Sequence, residues 1–238
     1  MSNPNPQPAA EPAAPPLPRS RKAEQSEATR AALVGVARSL FAARGYAGVG
    51  TEEIVRAAGL TRGALYHHFA GKEELFRAVY EEVERELVER IAVQAAAARD
   101  PLEALFAGAR AFLDACEADP AVQRIALLDA PSVLGWEQWR EIGLRYGFGL
   151  VEGSLAAAMD AGLIDREPVR PLAHLLLGAM DEGAMLVARA QDRGRTRAEV
   201  GAAVERFLDK LRAPPPGSGR ATASRRRPAR RAPPRRRG

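Results

Sequence analysis

The chain reads as an all-α protein: a three-helix head on a larger helical body, about nine helices in all within 238 residues. Three observations lead there. Apolar residues recur at helical spacing in one stripe after another from Leu33 to Leu211. Start signals such as Asp100-Pro101 and Asp119-Pro120, and glycine stops such as Gly45, Gly59 and Gly162, punctuate those stripes. No segment reads as a convincing strand, and there is no internal repeat.

Residues 1–22 are rich in Pro and Ala and are expected to be disordered. Ser26 or Thr29 can cap a first helix, whose face is Leu33, Val36, Ala37, Leu40 and Phe41. The stretch Thr51 to Lys72 comes next, and the rest of the chain is built around it. A short helix carries Ile54 and Ala58 at i, i+4 and stops at Gly59, the residue most able to take the left-handed conformation that ends a helix. Leu60 fills the corner. Thr61 then caps a second helix, on which Leu65 and Phe69 pack inward. Arg62, Gly63, Tyr66 and His67 are left for the outer face. This is a helix-turn-helix, at about residues 50–69, whose second helix has the size and chemistry to enter a DNA major groove.

Ile54, Ala58-Gly59-Leu60, Thr61-Arg62-Gly63, Tyr66, Phe69 and Lys72 together resemble the N-terminal domain of the TetR/AcrR family of bacterial transcription regulators, over roughly residues 27–87. An Ala-Gly or a Tyr-x-x-Phe alone would not be specific; the combination is. Val55 stands where a smaller Ala is usual and Gly50 where a capping Thr is usual, though Gly is a tolerable N-cap and Thr51 could substitute. The resemblance implies DNA contact by Thr61, Arg62, Gly63, Tyr66, His67 and Lys72, and a homodimer that binds a double-stranded operator and responds to a small hydrophobic effector.

The residues support part of this on their own. From Ile54 to Lys72 there is no acid, while Arg56, Arg62 and Lys72 are basic, so a polyanion is tolerated there. Arg62 can bond guanine O6 and N7 together, and Gly63 lets the backbone come close. Lys72, at the start of the next helix, can hold a phosphate by charge and by free N–H groups. A solvated helical hairpin is the plain alternative. His67-His68 is no metal pair, since neighbours on a helix point ~100° apart and no third ligand is near.

Lys72 opens a long helix with Leu75, Val79, Val83, Leu87 and Ile91 down one side; Glu81–Arg85 and Glu86–Arg90 make the other side read as a solvated surface. Asp100-Pro101 starts the stripe Leu102, Leu105, Phe106, Ala109, Phe112, Leu113, Cys116. Asp119-Pro120 starts a shorter helix ending near Pro131. Helices over about Ser132–Ala161, stopped by Gly162, and about Pro168–Asp192, stopped by Gly194, come next. Thr196 and Glu199 form a capping box for the last helix, with Val200, Ala203, Val204, Phe207, Leu208 and Leu211 on its apolar face.

The body, residues 88–212, gathers large side chains: Phe106, Phe112, Cys116, Trp136, Trp139, Tyr146, Phe148, Met159, His174 and Met180. Gly143, Gly147, Gly149 and Gly153 interrupt one helix at up to ~1 kcal/mol each relative to Ala. Close helix approach would explain them, and so would space for a ligand. The resemblance favours an apolar effector pocket made from Phe106, Phe112, Cys116, Trp136, Trp139, Tyr146, Met159 and His174, with His174, Asp181 or Arg140 orienting a polar group. A stripe that turns small in its middle, Leu175, Leu176, Ala179, Gly183 and Leu186, joins Val204, Phe207 and Leu208 as the expected dimer interface; packing inside one subunit is its alternative.

Composition narrows the function classes. No Ser or Cys sits in a nucleophile motif, and three His with one Cys make no zinc site, so neither an enzyme nor a metal or other cofactor is expected. Apolar content of 46% builds a core, yet no run approaches the ~18 apolar residues of a membrane span. The N-terminus has no secretion-signal pattern and Cys116 is alone, which fits a reducing cytoplasm. The net charge of +5 includes nine arginines from Arg220 onward, which leaves −4 for the rest. That tail, residues 213–238, is expected to be disordered. It binds DNA nonspecifically, meets acidic lipid, or reflects the Ala, Arg, Gly and Pro of a GC-rich genome. The rival to an operator-binding repressor is an architectural, nonspecific DNA binder driven by this tail.

Overall fold

A computed structural model describes residues 21–213. The two tails expected to be disordered lie outside them, except that Arg21 and Lys22 are already helical and Ala213 is placed. In chain order the elements are α1 Arg21–Arg44, α2 Thr51–Ala57, α3 Arg62–His68, α4 Lys72–Ala96, α5 Pro101–Ala118, a π-helical segment π1 Val122–Asp129, α6 Ala130–Val133, α7 Trp136–Asp160, α8 Val169–Arg189 and α9 Arg193–Asp209. Among the described residues there is no strand, only an isolated bridge between Ile164 and Arg212.

The head closes as the sequence dictates. Gly59 takes φ +65°, and the N–H of Leu60 reaches back to the Val55 carbonyl at 2.9 Å, so the left-handed residue uses up a carbonyl at the end of α2. Thr61 Oγ1 accepts from the Ala64 N–H at 3.2 Å, a cap worth about 1 kcal/mol that fixes where α3 begins. Gly50 is the N-cap of α2, without a side-chain bond. Ile54, Leu65 and Phe69 are buried against Leu33, Phe41 and Phe76. Phe69 lies one residue past α3 in extended backbone. The apolar core continues without a break from these residues through Val79 and Val83 to Ile125, Trp139, Ile142 and Met185, so head and body share it. A second cluster, around Leu102, Phe106, Met159, Leu176 and Leu208, sits at the far end of the body.

Several boundaries differ from the sequence expectation. α1 starts before Ser26 and Thr29; Thr29 Oγ1 turns back onto the Gln25 carbonyl at 2.9 Å, which a hydroxyl inside a helix can do as readily as cap one. Asp119 does cap, but the segment it caps leads into π1 rather than an ordinary α-helix. Gly135, at φ +80°, divides α6 from α7, so the long helix starts at Trp136 and Ser132 belongs to α6. The last connection is shifted by a turn. α8 ends at Arg189, and Asp192 caps α9 by accepting from Arg195 N–H at 3.0 Å, which puts Gly194 and Thr196 inside the helix. A carboxylate at the positive end of a helix outcompetes the neutral Thr196, whose hydroxyl bonds back to the Asp192 carbonyl. The supposed solvated side of α4 is an ion-pair seam instead: Glu82 and Glu86 hold Arg38 of α1, Glu81 holds Arg145 of α7, and Arg90 holds Asp119.

α8 is long and apolar enough, by composition alone, to cross a membrane, with a mean hydropathy of 1.2. In this fold eight of its residues, Gly183 and Ala184 among them, are buried against neighbouring helices.

Candidate functional site

On the head, α3 turns Arg62, Gly63, Tyr66 and His67 outward, with Thr61 exposed at its start. Leu65 and Phe69 anchor the other side in the core. Arg62 pairs with Glu52 at 2.8 Å, and its guanidinium lies 5.5 Å from the Tyr66 ring centre. An acid just before the acid-free stretch therefore holds the Arg62 guanidinium against α2. Lys72 Nζ sits 3.9 Å from the ring centre of Tyr46, and partial burial lowers its pKa below the ordinary lysine value.

Tyr46 leads into the body. Its backbone N–H donates to Asp129 Oδ2 at 2.6 Å, at the last residue of π1. Asp129 also pairs with Arg124 at 3.6 Å, and the Arg124 guanidinium lies so close to Gly45 that a methyl group there would meet it at 2.4 Å. One turn earlier on π1, the Ala126 carbonyl accepts from Trp139 Nε1 at 2.9 Å. A hydrogen-bonded path thus runs from α7 through π1 to the Tyr46 backbone, whose ring carries Lys72.

Trp139 is also a wall of a cavity enclosed by α4, α5, π1, α7 and α8. About 120 Å³ of it is open to the centre of a water molecule. At roughly 30 Å³ of liquid for each water, that is the volume of about four waters, or of a ligand body about the size of one aromatic ring. The walls are mostly apolar: Leu87, Ile91, Leu105, Phe112, Ala126 and Met180 are among them. Gly143 and Gly147 face inward, and a methyl at either would only reach van der Waals distance from Tyr80 or Leu177; Gly149 and Gly153 would meet nothing within 4 Å. Two of the four costly glycines thus widen the cavity.

Its polar groups are few. Arg140 and Asp181 form an ion pair. Burial raises the Asp181 pKa to about 6 despite Arg140. Glu84 faces the cavity from α4, and burial with Asp181 nearby raises its pKa to about 7 while Tyr80, bonded to it, opposes the rise. The Tyr80 hydroxyl donates to the Trp139 carbonyl at 3.2 Å and is strongly raised by burial. Tyr80 has one hydroxyl proton: turned to Glu84 it stabilises the carboxylate, and given to the Trp139 carbonyl it leaves Oη free to accept from protonated Glu84.

Comparison with known proteins places this geometry. Residues 33–79 match the family described as bacterial regulatory proteins, tetR family, and residues 102–211 match the tetracyclin repressor-like C-terminal domain. A crystal structure of a TetR-family transcriptional regulator from Pectobacterium atrosepticum is 33% identical, with a TM-score of 0.73, over 83% of this chain and 100% of that one. The chain belongs to the TetR family of transcriptional regulators. The transposon Tn10 TetC protein of Escherichia coli is 27% identical over 162 residues, 67% of this chain and 80% of that protein. RolR, solved in complex with the ligand resorcinol, shares the fold at 22% identity and a TM-score of 0.63, over 78% of this chain and 89% of that one.

Within this TetR-family chain the residues singled out from sequence fall in several places. Thr61, Arg62, Gly63, Tyr66 and His67 share one exposed face, and Lys72 stands one helix further on, half-buried. Of the eight pocket candidates, Phe112 and Trp139 line the cavity. Phe106 and Met159 belong to the second core cluster and Cys116 to the first. Trp136 is 65% exposed, Tyr146 packs at the rim of the first core, and His174 stacks on Phe148 at 4.6 Å. The interface candidates divide as well. Leu175, Leu186 and Phe207 are 68%, 53% and 43% exposed, and Ala179 is exposed between them. Leu176 and Leu208 are buried inside the subunit, Val204 packs against that core, and a methyl on Gly183 would meet Val200 at 2.8 Å. Gly183 is therefore where α8 and α9 of one subunit touch.

Sequence reasoning missed Glu84 and Tyr80. The signal was present: Tyr80, Glu84 and Val88 keep i, i+4 spacing one step round from the core stripe of α4, an apolar series broken by one carboxylate.

Proposed function

We propose that the chain is a ligand-responsive repressor that binds a palindromic operator as a homodimer in the cytoplasm. In this reading residues 27–87 bind DNA and residues 88–212 bind the effector and the second subunit. The observation that carries it is α3: a short capped helix whose exposed face bears Arg62, Gly63, Tyr66 and His67, with Lys72 alongside, tied through Tyr46 and Asp129 to an apolar cavity in the same chain. Arg62 leaves Glu52 to reach a base edge, Thr61, Tyr66 and His67 reach phosphates or base edges, and Lys72 holds a phosphate. The exposed Leu175, Ala179, Leu186 and Phe207 supply the apolar face through which α8 and α9 pair with a second copy. That RolR was solved with resorcinol supports a small-molecule role for a cavity in this fold.

Selection from random duplex DNA by the purified protein tests this. An enriched inverted repeat, lost with Arg62→Ala, is the expected result. Binding with no enriched sequence, abolished when residues 214–238 are removed, would instead establish the tail-driven nonspecific binder.

A further inference from the structure

The effector's chemistry is written in the cavity's polar end. Its walls are apolar apart from Ser154 and a cluster at Glu84, Tyr80, Arg140 and Asp181. Arg140 is already committed to Asp181. Glu84 forms no ion pair among the described residues, and its hydrogen-bond partner is the neutral Tyr80. Two carboxyls and one guanidinium share one half-buried site, in which the Arg140 and Asp181 side chains are 22% and 25% exposed. With both acids ionised the site carries one uncompensated negative charge, which costs free energy where water reaches it only in part. An anionic ligand would have to enter beside two carboxyls. A cationic one would complete the set.

We propose that the cavity takes an apolar ligand with a body of about one aromatic ring and one protonated amine, with the ammonium group held against Glu84 and the apolar part among Phe112, Ile91 and Met180. This rests on the reading of the cavity as an effector site and adds the ligand class. Tyr80 positions the Glu84 carboxyl, and Gly143 and Gly147 leave room for the ligand's stem. The groups facing Glu84 are Tyr80 on its own helix, Asp181 of α8, Arg140 of α7 and the buried Cys116 thiol of α5; π1 contributes only the apolar Val122, Ala126 and Leu127 to the cavity. A bound ammonium favours ionised Glu84, so binding near neutral pH expels the proton that Glu84 otherwise holds.

The test compares three matched probes on the full chain by titration calorimetry: 4-phenylbutylamine, 4-phenyl-1-butanol and 4-phenylbutyrate. The amine is expected to bind at least tenfold more tightly than the alcohol, and the carboxylate more weakly than either. Repeating the amine titration at pH 7 in buffers of different ionisation enthalpy should show release of about half a proton per ligand, given a Glu84 pKa of about 7. Glu84→Gln, which keeps the shape and can still hydrogen-bond Tyr80, should cut amine affinity at least tenfold and change alcohol affinity less than twofold. If the alcohol or the carboxylate binds at least as well as the amine, or binding releases no proton, the ammonium assignment is wrong while the cavity stands. If none of the three binds, both the assignment and the cavity's role as an effector site fall.

Discussion

Glu84→Gln has a consequence for folding as well as for binding. The folded-state pKa of Glu84 is about 7, against 4.5 for an unburied glutamate. Between those values the folded chain keeps a proton that the unfolded chain has released. Folding stability therefore falls as pH rises from about 4.5 to about 7 and levels off above it. A gap of about 2.5 pH units, at about 1.4 kcal/mol for each, puts the whole effect on the order of 3 kcal/mol. Glutamine has no proton to lose, so the stability of the wild type minus that of Glu84→Gln should fall by roughly 2–3 kcal/mol between about pH 5 and pH 8.5. Asp181, also raised, faces Glu84 and is coupled to it, so the same series on Asp181→Asn separates its share. Urea unfolding at one protein concentration, followed by circular dichroism at several pH values, measures it. A difference that stays constant within about 0.5 kcal/mol, or that grows with pH, would refute the argument that Glu84 is half-buried without a cation.

The remaining predictions concern the head, its link to the body, and the interface. Arg62→Ala should cost about 1–3 kcal/mol and relax preference at one base pair in each half-site. Lys72→Ala should weaken all sequences alike and lower the salt slope by ~0.9 for each phosphate it no longer neutralises; a salt series on an operator and its single-base variants separates the two. Asp129→Ala removes the charged acceptor from the Tyr46 N–H and should cost about 1.5–3 kcal/mol in a urea melt; an unchanged melt would mean that the link bears no energy. Leu186→Arg should sediment as a folded monomer, whereas Gly183→Val, which meets Val200, should destabilise the subunit by about 1–3 kcal/mol. A Leu186→Arg protein that stays dimeric would move the interface elsewhere.

The head was legible because its determinants are local. Gly59 and Thr61 set the turn by their own backbone and hydroxyl chemistry, and Leu65 and Phe69 keep the helix period. The body was legible as stripes and caps but less so in its partners. Thr196 and Asp192 both carry capping side chains four residues apart, and only the fold shows that the carboxylate wins. The arginines and glutamates of α4 match each other along the sequence, yet Arg38 and Arg145 reach Glu86 and Glu81 from other helices. Aromatic residues suggest a pocket by their size, although most of them here fill core. The cavity is shaped by what is small, Gly143 and Gly147, and by Glu84, a residue type that sequence reading assigns to solvent. The same blindness applied to Gly183, whose smallness serves the α8–α9 contact within one subunit.

The central claim is that one chain couples a ligand cavity to a DNA-reading face. Binding linkage makes that coupling reciprocal, so it is read most directly from the ligand side. The affinity of 4-phenylbutylamine for the protein should be measured alone and with saturating selected operator DNA. Coupling predicts that the operator weakens the amine by roughly 5–150-fold, and that Asp129→Ala shrinks the ratio. Equal affinities with and without operator would contradict it.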